Sequence, residues 1–206
     1  MHSPHESKAK LLDATLKLVR EKGYNATTVD EICAEAGLTK GSFFHHFAGK
    51  DDLGLAAVAH WNEHTTGYFA HAPYHDRADP LDRLLAYVDF RKANLKGPLA
   101  EFTCFAGTMV QEVHATHPDI RAACEANICG QAKTLEADIR AAMRRYKVQG
   151  FTAESLALHT QAVVQGALLL AKTTGSTAVA AQSLDHLRRY LELLFDPNAK
   201  RKRAKR

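Results

Sequence analysis

The chain has 206 residues, 46% hydrophobic and 24% charged, which is long enough to bury a core and too apolar for a disordered polymer. Its formal charge of +4 is lopsided, because Lys200, Arg201, Lys202, Arg203, Lys205 and Arg206 supply six cations at one end, and without them the charge falls to −2. No run of 18 apolar residues occurs and MHSPHESK carries no apolar leader core, so a cytoplasmic protein without a membrane span is expected. Cys33, Cys104, Cys124 and Cys129 show neither a CxxC pair nor zinc-finger spacing and are expected as thiols.

In chain order, Ser3, Pro4 and Glu6 form a helix-start signature, and Leu12, Leu16 and Val19 at i, i+4 and i+7 carry a first helix to Gly23. Thr28 then caps a helix from Val29, with Glu31 three places on completing a capping box. Ile32 and Cys33 give that helix a small apolar face. Ala36 admits a close neighbour, and Gly37 supplies the left-handed residue at its end. Leu38 plugs the core while Thr39 caps the next helix, whose opening Lys40, Gly41 and Ser42 are unsuited to burial. Phe43, Phe44 and Phe47 alternate with His45 and His46, so one side anchors and the other is free to face a groove. Two helices joined by a short glycine-containing turn fit a helix-turn-helix and make double-stranded DNA the first partner to consider, although ordinary helical hairpins share the outline. The neutral body means that attraction to DNA must come from local cations such as Lys8, Lys10, Lys40 and Lys50.

A fourth helix is expected from Lys50, with Asp51 and Asp52 in its first turn, through Trp61 to Phe69. Residues 71–80 read as a loop, and Asp79-Pro80 starts a helix to Lys96 that Gly97 and Pro98 end. Further helices are expected over 102–116, 118–147, 152–174 and 177–195. The fold class is therefore all-α with about nine helices: a helix-turn-helix domain over 1–48, a helical domain over 49–195 and a basic tail over 196–206, read as a solvated, disordered end. In the last two helices Leu156, Val163, Ala167 and Leu170 form one stripe, with Ala162 and Gly166 allowing close approach, and Leu184, Leu187, Leu191 and Leu194 form another. Such stripes fit an internal core or an intermolecular four-helix bundle.

Enzymes are disfavoured: the chain has no glycine-rich phosphate loop, no GxSxG, no HExxH and no paired carboxylates in an apolar setting. His60 and His64, His71 and His75, and His114 and His117 are spaced for two imidazoles on one ion, but a third ligand is lacking, so neither metal nor cofactor is expected.

Residues 11–53 resemble the DNA-binding domain of the tetracycline-repressor (TetR) family of bacterial transcription regulators. The likeness is carried by Gly23, Tyr24, Ala26 and Thr27, by Ala36, Gly37, Leu38, Lys40 and Gly41, and by His45, His46, Phe47 and Lys50. The resemblance implies a homodimeric, ligand-responsive repressor, paired through its last two long helices and reading two half-sites of a palindromic operator. Thr28 and Lys50 are then expected at phosphates, His45 close to one, and Thr39, Lys40, Gly41, Ser42 and Phe43 at or near base edges. Phe44 departs from the tyrosine frequent at that family position and lacks its hydroxyl. A small-molecule effector is implied among the middle helices, with Tyr87, Phe90, Phe102, Cys104, Phe105, Met109, Val113, Ile128 and Gln165 as candidate walls and the fourth helix as transmitter. Two other readings stay open: a thiol sensor of oxidants or electrophiles through Cys104, and a sequence-tolerant architectural DNA-binding protein.

Overall fold

Helix ends in this chain are set largely by side chains at the residues flanking them. The computed structural model describes residues 4–196, so the Ser3 part of the first helix-start signature and the basic tail beyond Asp196 lie outside the described residues. Among the described residues there are eleven α-helices, one 3-10 turn and no strand. The helices are α1 (Pro4–Lys22), α2 (Val29–Ala36), α3 (Lys40–His46), α4 (Lys50–Ala70), α5 (Pro80–Ala93), α6 (Leu99–Phe102), α7 (Phe105–Val113), α8 (Pro118–Thr134), α9 (Glu136–Tyr146), α10 (Ala153–Thr174) and α11 (Thr177–Phe195). The 3-10 turn covers Pro73–Asp76, inside the segment expected as loop.

Two expected helices are broken, which raises the number above nine. The helix expected over 102–116 is interrupted at Thr103 and Cys104, both extended, where the Cys104 sulfur accepts the Gly107 N–H at 3.3 Å and caps α7. The one expected over 118–147 tightens near Leu135. There the Thr134 hydroxyl donates to the Gln131 carbonyl at 2.7 Å and the Leu135 N–H reaches back only to Ala132.

The described residues form two compact units: residues 4–68 with 98–128, and residues 69–97 with 129–196. This division differs from a boundary after residue 48, because the core around the helix-turn-helix takes in later helices. Leu11, Val19, Ile32, Phe43, Phe47, Leu53 and Val58 share one apolar cluster with Phe105, Met109 and Val113 of α7 and Ile120 and Cys124 of α8. The reading head therefore folds on α4, α7 and the start of α8 as one body. In the second unit α10 packs on α11, and α11 on α5. Ion pairs Lys92–Asp185 at 2.7 Å and Arg188–Asp89 at 3.0 Å stitch the rim of the latter contact. Asp79 caps α5 through the Leu81 N–H at 2.7 Å and also accepts the Tyr146 hydroxyl at 3.0 Å, tying α5 to the end of α9.

Candidate nucleic-acid interface

The reading head begins with the α2 cap. The Thr28 oxygen accepts the Glu31 N–H at 3.3 Å, and the Glu31 carboxylate accepts the Thr28 N–H at 2.9 Å and its hydroxyl at 2.8 Å. The ammonium of Lys22 also pairs with Glu31. These bonds, the Lys22 hydrogen bond first and then those from Thr28, hold the Glu31 carboxyl down at about 2. A depressed folded-state pKa adds stability above the ordinary carboxylate value that is lost as pH falls through about 2, so the α2 cap persists in mild acid. In carboxyl NMR, Glu31 should titrate well below the ordinary carboxylate range, and Lys22→Ala should raise its midpoint. A midpoint in the ordinary range would contradict the cap.

Gly37, at φ 65, closes α2, and Thr39 accepts the Ser42 N–H at 3.2 Å to start α3. Thr39, Lys40, Gly41 and His45 are exposed on α3, Ser42 is half-exposed, and Phe44 is 61% exposed. Phe43 lies elsewhere. It was expected among the residues at or near bases, but it is 0% exposed and packs against Phe47 at 5.7 Å between ring centroids, so it anchors the helix. Phe44 stands edge-on to Phe43 at 5.1 Å and presents the outward ring. Ser7 of α1 fixes the end of α3 through His46 Nε2 at 2.7 Å.

The two expected cations have distinct settings. Lys40 pairs with Asp30 of α2 at 2.7 Å, both well exposed, so a phosphate must compete with a weak, solvent-screened partner. Lys50 lies over the Tyr24 ring, its ammonium 4.4 Å from the centroid, and burial lowers its pKa. Thr28 is exposed, but its hydroxyl is committed to Glu31.

The candidate effector walls are divided between the two units. Phe105, Met109 and Val113 are fully buried in the core shared with α1 and α4, and Cys104 and Ile128 pack against the same core; this corrects their reading as cavity walls. Phe102 is half-buried in α6. Cys104 is committed to capping α7, and burial raises the Cys124 thiol to about 12. In the second unit Tyr87 and Phe90 join Phe69 and Tyr74 in an aromatic group, with the Arg91 guanidinium 5.0 Å from the Phe69 centroid. The Tyr87 hydroxyl is buried and has no hydrogen-bond partner among the described residues. Gln165 is half-exposed on α10.

The expected pairing stripes also divide. Leu156, Ala167, Leu184, Leu187 and Leu191 are buried within their own unit, so they belong to its core and not to an outer face. Val163 and Leu194 are half-buried, and Leu170 is exposed. The apolar residues left outside are Leu158, Leu169 (50% exposed) and Leu170 on α10, with Tyr190 and Leu193 (60% exposed) on α11. Leu158, Ala162, Gln165 and Leu169 recur at i, i+4, i+7 and i+11, a spacing legible in the sequence but masked by the equally regular buried stripe. Among the described residues no group of three or more His, Cys, Asp or Glu is arranged to hold a metal ion, and no helix is long and apolar enough to cross a membrane.

Residues 11–57 match the family model described as "Bacterial regulatory proteins, tetR family", and residues 80–187 match "Tetracyclin repressor-like, C-terminal domain". The transcriptional regulator AcuR of Cereibacter sphaeroides is 33% identical over 113 residues, 55% of this chain and 52% of AcuR, so the match spans about half the length of that relative. The regulator LmrA of Bacillus subtilis is 25% identical over 176 residues, 82% of this chain and 87% of LmrA. Among solved structures, a TetR-family regulator from Agrobacterium tumefaciens superposes with a TM-score of 0.81 at 21% identity, covering 91% of this chain and 98% of that one. The regulatory protein TetR from Rhodobacter sphaeroides gives 0.78 at 26% identity, covering 88% and 96%.

Proposed function

This chain belongs to the TetR family of transcriptional regulators, and we propose that it acts in the cytoplasm as a homodimeric repressor, released from a palindromic operator by a small molecule. The observation that carries the reading is the split of α3 into an anchored side, Phe43 and Phe47, and an outward side of Thr39, Lys40, Gly41, Phe44 and His45. A helix of that kind lies in the major groove, where donors at its start meet phosphates and outward side chains meet base edges. Phe44 supplies an apolar ring suited to a thymine methyl. Regulation rather than catalysis is the proposed activity, in keeping with the regulators that resemble the chain.

The test is selection of bound duplexes from genomic and random fragments. A short palindrome with half-sites about one helical turn apart, or a multiple of it, is the expected enrichment. Equal recovery of all fragments would favour the architectural alternative instead.

The salt dependence of binding separates Lys40 at the head of α3 from its partner Asp30 on α2. Lys40→Ala should weaken binding and make the slope of log K against log salt shallower, whereas Asp30→Asn, which frees Lys40, should tighten binding severalfold. Unchanged slopes in a titration of Lys40→Ala would remove its phosphate role.

The effector site is proposed in the second unit around Tyr87 and Phe90, where aromatic faces surround a buried hydroxyl that lacks a partner among the described residues. An effector that prefers the released state by ~3 kcal/mol lowers DNA affinity on the order of 100-fold. Tyr87→Phe should leave operator binding intact and raise the effector concentration needed for release about tenfold. Unaltered release by the effector would exclude that hydroxyl as a contact.

A further inference from the structure

The turn between α1 and α2 is held by a side chain from far along the sequence. Glu112, next to the last residue of α7, accepts the Tyr24 N–H through Oε1 at 3.0 Å and the Asn25 N–H through Oε2 at 2.8 Å. Gly23 makes the approach feasible, since it adopts φ +92 and a Cβ there would stand 2.3 Å from Glu112 Oε1. Two successive backbone N–H groups thus converge on one carboxylate supplied from within the chain.

Tyr24 carries the constraint onward. Its hydroxyl donates to Asp51 Oδ1 at 2.8 Å and lies 3.1 Å from the Lys50 carbonyl, while its ring supports the Lys50 ammonium at 4.4 Å. Gly54 leaves room for this contact, because a Cβ there would sit 3.0 Å from the Tyr24 hydroxyl. His117, just beyond α7, closes the group with Nε2 3.3 Å from Asp51 Oδ1. The end of α7, the α1–α2 turn and the first turn of α4 thus meet on one tyrosine.

The geometry points to Glu112 as a positioning residue for DNA binding: its carboxylate sets the turn, the turn sets Tyr24, and Tyr24 sets where the Lys50 ammonium is offered. The inference rests on the proposed reading of the chain as a DNA-binding regulator and on Lys50 being a phosphate contact, the role that the family resemblance implies for it. Glu112 itself needs no contact with DNA. A displacement of α7 would reach the reading head through this carboxylate as well as along α4.

The test is a double-mutant cycle on binding of the full-length protein to the selected operator duplex, read as affinity and as salt slope. Lys50→Ala should lower the slope by ~0.9 for each half-site. Glu112→Ala should do the same and weaken binding roughly tenfold, the scale of a lost charge-assisted hydrogen bond, and the double variant should be no weaker than Lys50→Ala alone. Glu112→Gln keeps one acceptor oxygen and its shape, so it should fall between and serves if the alanine variant folds poorly. Amide exchange at Tyr24 and Asn25 should quicken in both, while the amides of α10 keep their protection. Wild-type binding by both Glu112 variants, or losses that add to that of Lys50→Ala, would overturn the proposal. An unchanged slope in Lys50→Ala would remove the phosphate reading beneath it, and the proposal would go with it, whereas failure to select any duplex would remove the regulator reading itself.

Discussion

Phe43→Ala should destabilise the first unit by ~3–5 kcal/mol and abolish operator binding, while Phe44→Ala should change stability by less than about 0.5 kcal/mol and weaken binding alone. The contrast follows from two neighbouring rings with opposite environments. Phe43 is fully enclosed in the cluster that joins Leu11, Ile32 and Leu53 to Met109 of α7. Removing its ring leaves a cavity that the surrounding helices can fill only in part. Phe44 stands mostly in solvent, so its loss opens no cavity. Urea unfolding at constant m separates the two, because the midpoint should fall for Phe43→Ala and hold for Phe44→Ala. Equal midpoints would return Phe43 to the surface of α3.

Leu169→Glu combined with Leu193→Glu should yield a folded monomer that has lost about 100-fold or more of its operator affinity, because two half-sites held together bind far better than either alone. Both leucines lie on the outer faces of α10 and α11, which we propose as the pairing surface of the dimer; a carboxylate there is harmless to the monomer but would be buried and unpaired on pairing. Leu187→Ala is the informative comparison. Leu187 is buried inside its own unit, so its truncation should reduce stability by about 2–5 kcal/mol without a specific effect on pairing. Sedimentation velocity distinguishes the cases, and a dimer that survives both charge substitutions would place the pairing surface elsewhere.

The helix-turn-helix was legible because its punctuation is local. Thr28 with Glu31, Gly37 and Thr39 each act over three or four residues, and the structure puts every one at the cap that the pattern implies. What needed the third dimension was which face of an amphipathic element turns inward. Phe43 and Phe44 are chemically identical neighbours, and only the packing of α3 on α1 and α2 distinguishes them. The same ambiguity hid the outer stripe of α10, where apolar residues surround most of the helix and the inward set has the same period as the outward one. Glu112 was invisible for another reason: its partners are backbone N–H groups 88 and 87 residues earlier, and no local pattern encodes such a bond. The breaks before Phe105 and near Leu135 were missed because a cysteine sulfur and a threonine hydroxyl, weak signals in sequence, take over backbone hydrogen bonds there.

A symmetric pair of subunits that each present α3 outward should be visible by photo-crosslinking on the selected operator. With p-benzoylphenylalanine placed at position 44 or at position 43 in separate preparations, crosslinks from 44 are expected in the major groove of both half-sites of one duplex and none from 43. Crosslinks from 43 alone, or from 44 to a single half-site, would rule out an outward α3 in a symmetric pair.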